Sequence, residues 1–338
     1  MEHTPQPPPS SIKTPRFKFN HWNRFLDHVN DGMMDNIPIT SYNVKTTCSS
    51  PLHKCGVTKE CRMKGCQKMK VNESAWPATV SSLTEDFTGL GVAKGMTLLV
   101  HSSLKSLNRW IVGGPPAVIH ALEEAIGEEG TLVMPTHTSD LSDPTLWENP
   151  PVPKAWWDTI RKEMPAFDRD LTPTWGMGAV AECFRKQDGT HRSNHPQVSF
   201  AARGPEALFI TGDHSLPYGL GEQSPLARLY DRNAWVLLIG VNHDNNTSLH
   251  LAEYRSDYPH KKQTKLETAC KVNGQREWVS FDDISFDTED FIEIGQAFEQ
   301  ASGLVRIGTI GDATVRLMPQ RELVDYAKYW MDSYRWGQ

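Results

Sequence analysis

From Trp76 onward, short apolar runs alternate with amphipathic ones, and this alternation limits the folds open to the chain. "TLLVHSS" (97–103) reads as a buried strand, and "PAVIHALEEAIG" (116–127) as a helix closed by Gly127. "GTLVMPT" (130–136) is a second strand ending at a proline, and "GMGAVAECFRKQ" (176–187) a second amphipathic helix. "VSFAARG" and "AWVLLIGV" are further strands, and "TSLHLAEYRS" begins another helix. The last third mixes short strands with helices such as "EDFIEIGQAFEQA" and "RELVDYAKYWM". No internal repeat or long linker interrupts the pattern. The expectation is a single α/β domain over residues 76–338, with a central mixed β-sheet flanked by helices.

The 338 residues, 38% apolar and 22% charged, suffice for one such domain with a sizeable core. No stretch approaches the ~18 consecutive apolar residues of a membrane helix. The first residues, "MEHTPQPPPSSIKTPRF", lack the apolar core of a secretory leader. Six cysteines are ordinary for a reducing compartment, so a cytoplasmic protein without membrane attachment is expected.

The net charge of −6 conceals an asymmetry. Residues 1–75 carry 11 Lys and Arg against 6 Asp and Glu, leaving 24 basic and 35 acidic residues for the rest. An acidic body draws cationic ligands and repels nucleic acid. Residues 1–75 open with "PQPPPSS" and lack periodicity, so they read as a basic, disordered extension. Cys48, Cys55, Cys61 and Cys66 lie in it with His53. Only the Cys61–Cys66 gap approaches a zinc-knuckle spacing; a plain cysteine-containing tail is the simpler reading, and no metal is expected.

Three stretches carry chemistry. In "HSSLKSLNRWIVGGPPAVIHAL" a strand ends at Ser102 and Ser103, and Gly113 and Gly114 lead into a helix. Close backbone approach and a helix N-terminus together favour an anion such as a pyrophosphate. The ordinary alternative is a plain strand–loop–helix turn. In "HRSNHPQVSFAARG", Arg192 is suited to grip phosphate, and His195, stiffened by Pro196, to act as a neutral base. The alternative is a structural histidine bonded to a backbone carbonyl. In "GVNHDNNTSLHLAEYR", His250 and Glu253 are three apart on a helix, so both can point into one site.

In this order the motifs resemble the aminoglycoside 3-N-acetyltransferase family, a group of antibiotic N-acetyltransferases. The matching pieces include "VHSSLKSL", "VGGPPAVIHAL", "GTLVMPTHT", "RSNHPQVSFAARG", "YGLGEQSPLARL" and "NTSLHLAEYR", covering about 76–338. The resemblance implies acetyl-CoA as donor and an amine as acceptor, namely the 3-amino group of an aminoglycoside. It also implies a mixed-sheet α/β fold distinct from the general N-acetyltransferase superfamily. It places the general base on His195 and the helix carboxylate on Glu253, there to hold the acceptor ammonium or orient the base. The coenzyme loop falls on Ser102, Ser103, Ser106, Gly113 and Gly114, with Arg192 beside it; Asp244 and Glu222 join Glu253 as acceptor-binding carboxylates. Asn108 and Arg109 stand where the family usually has glycine.

Direct transfer within a ternary complex is the expected route. Thr174 is a candidate oxyanion donor, and Cys183, on an apolar helix pattern, a structural thiol rather than a nucleophile. Three rival readings remain: acetylation of another amine in secondary metabolism, a metal-dependent hydrolase built on His137, His195, His243 and His250, and a non-enzymatic coenzyme-binding or interaction protein recruited through the basic extension. Oligomeric state is open.

Overall fold

The computed structural model describes residues 76–148 and 150–336. The basic extension and its four cysteines therefore lie outside the described residues. In chain order the first half comprises α1 (Val80–Leu90), β1 (Thr97–Ser102), α2 (Pro115–Ile126), β2 (Thr131–Pro135), α3 (Trp157–Glu163) and α4 (Gly178–Phe184). Then come β3 (His191–Arg192), β4 (Phe200–Arg203), α5 (Ala207–Thr211), α6 (Pro225–Asp231), β5 (Trp235–Ile239) and α7 (Ser248–Arg255). The chain ends with β6 (Gln263–Val272), β7 (Gln275–Ile284), α8 (Phe291–Ser302), β8 (Arg306–Ile310), β9 (Ala313–Pro319) and α9 (Gln320–Tyr334).

Seven strands form one mixed sheet in the order β3-β4-β2-β1-β5-β9-β8. Its centre, β2-β1-β5, is parallel, while β4 on one side and β9 on the other run antiparallel. Helices cover both faces of the central strands, so these strands need apolar side chains pointing both ways. The strand alternation divides the core accordingly. Leu98, Val100, Leu132, Met134, Leu237 and Ile239 pack with Phe87, Leu122 and Phe184 from α1, α2 and α4. Leu99, Val133, Val236 and Leu238 pack the other way, with Leu249, Phe291, Phe298 and Leu323 from α7, α8 and α9. The expected mixed sheet flanked by helices is the observed one.

Strands β6 and β7 form a hairpin apart from this sheet. Its turn, Asn273-Gly274, takes φ values of 50° and 81°, the mirror-image turn whose twist suits a hairpin. No helix among the described residues is long and apolar enough to cross a membrane.

Candidate active site

In an open α/β sheet the crevice forms beyond the carboxyl ends of parallel strands. Here those ends are Ser102 of β1, Pro135 of β2 and Ile239 of β5. Because β4 runs antiparallel, the segment before it, His195–Ser199, arrives at the same edge. All three chemical motifs therefore converge there. The cleft is lined by His101, Ser102, Met134, Met177, Val241 and Thr247, a mixture of hydroxyl, thioether and aliphatic groups.

Helix α7 starts just past β5 and turns His250 and Glu253 inward on one face. His250 Nδ1 lies 2.6 Å from Glu253 Oε2. A carboxylate only accepts, so Nδ1 carries the hydrogen, and the Nε2 lone pair has no partner among the described residues. The imidazole is clamped between Phe286 and Phe291, with ring centroids at 4.5 and 5.0 Å. Glu253 is completely buried, and its Oε1 accepts from the Asp287 amide at 2.8 Å and from Arg335 Nη1 at 3.2 Å. One turn earlier, Thr247 Oγ1 lies 3.3 Å from Nε2 of His101, which burial pushes down to about 3.

Two expectations change here. Glu253 does not orient His195; the imidazole it holds is that of His250, on its own helix. Nor is it open to an acceptor ammonium, since it is completely buried and both its oxygens already accept hydrogen bonds within the protein.

His195 is placed as a structural group. Its Nδ1 accepts from the amides of Gln197 and Val198 at 3.1 and 3.0 Å, so Nε2 must carry the hydrogen and donate to the Leu216 carbonyl at 3.1 Å. Burial pushes its pKa down to about 4, offset in part by the Leu216 bond. With both nitrogens engaged, the geometry gives it no lone pair for a substrate proton, against its expected role as base.

Arg192 is also committed. Its guanidinium donates to the hydroxyls of Thr136 and Ser199 and to the carbonyls of Thr136, Arg169 and Thr172, at 2.6 to 3.2 Å. It stacks on Phe167 at 4.9 Å, and burial pushes its pKa down to about 10. It braces three chain segments, so the expected coenzyme contact is corrected.

The serine–glycine loop departs from a helix-end anion site. Pro115 and Pro116 occupy the first two positions of α2 and contribute no N–H. The Ala117 amide bonds Gly114 O, and the Gly114 amide bonds Ile111 O. Gly113 and Gly114 thus shape the turn, but the helix end has lost most of the donors an anion would use. The hydroxyls of Ser103 and Ser106 lie 2.8 Å apart, and Ser106 donates to Gly240 O at 2.9 Å. Ser102 alone of the three serines lines the cleft.

Asn108 adopts φ 45°, a left-handed conformation that asparagine tolerates best after glycine. Its side chain donates to Asp312 at 2.7 Å.

The remaining candidates lie as follows. Asp244, half-buried in the turn before α7, accepts from Asn245 Nδ2 at 3.0 Å. Glu222 is spent on a two-point pair with Arg255 at 2.7 and 2.9 Å, whose hydrogen bonds hold its carboxyl below the usual range. Thr174 directs its amide to Glu182 at 2.9 Å. Burial raises the Cys183 thiol, disfavouring a thiolate.

The four histidines of the hydrolase reading are dispersed in role. His243 pairs with Glu299 at 2.8 Å behind α8, while His137 keeps a buried, unpartnered Nε2. No three His, Cys, Asp or Glu side chains gather as a metal site among the described residues.

Comparison with known proteins agrees with this architecture. The sequence profile of the family described as aminoglycoside 3-N-acetyltransferase matches residues 99–332. The SPbeta prophage-derived aminoglycoside N(3')-acetyltransferase-like protein YokD of Bacillus subtilis is 47% identical over 264 residues, 78% of this chain and 96% of that protein. The YokD crystal structure superposes with a TM-score of 0.76, covering 80% of this chain and 98% of its own. Aminoglycoside N(3)-acetyltransferase VII of Streptomyces paromomycinus is 36% identical, over 78% of this chain and 94% of its own. A structure described as AAC-IIIb binary with CoASH is 30% identical, with a TM-score of 0.68, covering 78% of this chain and 99% of its own. The chain belongs to the aminoglycoside 3-N-acetyltransferase family, and it is an N-acetyltransferase.

Proposed function

We propose that the protein transfers the acetyl group of acetyl-CoA to an amine of an aminoglycoside, at the 3-position named by its family, with His250 as general base. The observation that carries this reading is the buried His250–Glu253 pair, 2.6 Å apart, with Nε2 unpartnered at the crevice end of the sheet. The relative bound to CoASH supports the donor. The family description supports the acceptor.

Acetyl-CoA supplies the activated carbonyl; the chain's residues do the rest. The cleft fits the donor's arm, because Met134, Met177 and Val241 offer apolar contact while Ser102 and Thr247 offer hydroxyls. An acceptor amine is largely ammonium at neutral pH and must lose a proton to become nucleophilic. The Nε2 lone pair of His250 takes that proton, a step typically worth ~10²–10⁴-fold. Glu253 fixes the ring's tautomer and favours the imidazolium that results. His195 and Arg192 support the floor of the site without touching the reacting atoms. Asp244 and the acidic body provide the field that draws a polycation inward.

The test is a thiol-release assay with acetyl-CoA against aminoglycosides and simple amines. His250→Ala is expected to lower kcat/KM at least a hundredfold with acetyl-CoA binding kept. Turnover of simple amines but of no aminoglycoside would overturn the acceptor. A His250→Ala enzyme retaining more than a tenth of its turnover would overturn the base.

A further inference from the structure

The last helix carries a cation to the catalytic pair. Arg335, the residue following α9, is buried against α7 and the head of α8. Its Nη1 lies 3.2 Å from Glu253 Oε1 and 2.9 Å from the Tyr258 hydroxyl. Its Nε and Nη2 lie 2.7 and 2.5 Å from the two carboxylate oxygens of Asp290, and Nη2 also donates to Asp287 O at 2.8 Å. The family match ends at residue 332, so this contact is made from beyond the matched segment.

We propose that Arg335 is a positioning residue for the acetyl transfer: it keeps the Glu253 carboxylate ionised and turned so that Oε2 meets His250 Nδ1–H. The inference rests on the reading of His250 and Glu253 as the basic pair. The surroundings of Glu253 give the reason. His250 and Tyr254 face it from α7, Tyr258 and Lys261 from the loop that follows, and Asp287 and Asp290 from the approach to α8. Of the two permanent cations, Lys261 spends its ammonium on the carbonyls of Tyr254 and Ser256, at 2.7 and 2.9 Å. Arg335 is therefore the cation in direct contact with Glu253. Burial opposes its charge, yet hydrogen bonds to Asp290 and the charges of Glu253 and Asp290 outweigh that and hold its pKa above the usual range. Remove it, and a fully buried carboxylate is left beside two other acids, conditions under which it takes up a proton. A neutral Glu253 no longer favours the imidazolium, so the base fails at neutral pH and recovers as pH rises.

The experiment measures acetyl transfer to an aminoglycoside that the wild-type chain turns over, from pH 5.5 to 9.5, with the full chain and its Arg335→Met, Arg335→Lys, Asp290→Asn and His250→Ala variants. Arg335→Met is expected to lower kcat at least tenfold at pH 7. The acid limb of kcat/KM should move up by at least one pH unit, with KM for acetyl-CoA within twofold. Arg335→Lys should restore part of the limb. Asp290→Asn breaks the outer pair of the same turn and leaves Nη1 on Glu253; it should lower Tm without moving the limb.

An unmoved limb in Arg335→Met, or an equal movement in Asp290→Asn, overturns the inference. If Arg335→Met fails to fold, Arg335→Lys against Asp290→Asn decides on the same criterion. His250→Ala separates the two levels. An inactive His250→Ala beside a wild-type profile in Arg335→Met refutes the positioning role alone. An active His250→Ala refutes the base, and this inference with it.

Discussion

His195 and Gly219 are packed so tightly that a methyl group on the glycine would lie 2.5 Å from the imidazole Nε2. No space exists at that nitrogen for an amine. The ring therefore stabilises the turn, and His195→Ala should behave as a packing variant. It would leave the Gln197 and Val198 amides and the Leu216 carbonyl without their partner, for a cost of ~3–5 kcal/mol. A thermal melt should fall by roughly 10 °C. Below that temperature kcat should stay within about tenfold of wild type. A folded His195→Ala enzyme without turnover would return the histidine to the chemistry.

Acid should unfold the protein steeply. Burial holds His195 at about 4 and His101 at about 3, and pushes His137 and His214 well below the ordinary histidine value. All four are neutral in the fold, whereas in the unfolded chain they protonate near pH ~6.5. As pH falls from there towards 4, the unfolded state binds the extra protons and stability drops, by ~1.4 kcal/mol per pH unit per histidine. Urea titrations at pH 7.5, 6.0 and 5.0 should reveal an uptake of about three or four protons on unfolding. His101→Gln should reduce that by about one. Stability unchanged between pH 7.5 and 5.0 would contradict the burial argument.

Arg192 offers a separation of stability from coenzyme binding. Arg192→Met strands the carbonyls of Thr136, Arg169 and Thr172, on two segments, at a cost of ~3 kcal/mol, or roughly 6–12 °C in Tm. KM for acetyl-CoA should remain within twofold. A large rise in that KM with an unaltered melt would mean that the guanidinium reaches the coenzyme after all.

At position 108 the backbone conformation, more than the side chain, sets the tolerance. Asn108→Gly exchanges an exposed hydrogen bond to Asp312 for an easier left-handed backbone, and stability should stay within about 0.5 kcal/mol. Asn108→Val forces a β-branched residue to φ 45° and should cost ~1–3 kcal/mol. Chemical denaturation of the two variants makes the comparison.

The central strands were legible because each is buried on both faces, which requires unbroken apolar runs such as "TLLV" and "WVLLI". The β6–β7 hairpin was not, although Asn273-Gly274 is a strong turn signal. Its strands are exposed along much of their length, so their pattern resembles a loop. Motif order located the site, since strand ends must meet at one edge of the sheet. Roles within it depended on remote partners. Nothing near His195 shows that Leu216 takes its Nε2 hydrogen, and nothing near Arg192 foretells carbonyls 20 to 56 residues away. The His-x-x-Glu spacing did mark the pair on α7, but Arg335, 82 residues beyond Glu253, lies outside any local pattern.

The position of β9 bears on how the chain is made. This strand, residues 313–319, pairs along β5 and separates it from β8, so the third central strand gains its second neighbour only when a segment more than seventy residues further along the chain arrives. Until then the "WVLLI" edge of β5 is open to any other strand, the condition under which nascent or truncated chains associate wrongly. Premature stops before β9, at or before residue 312, should therefore yield aggregates rather than weakened enzymes. For such a topology, the sheet cannot close until β9 has been made.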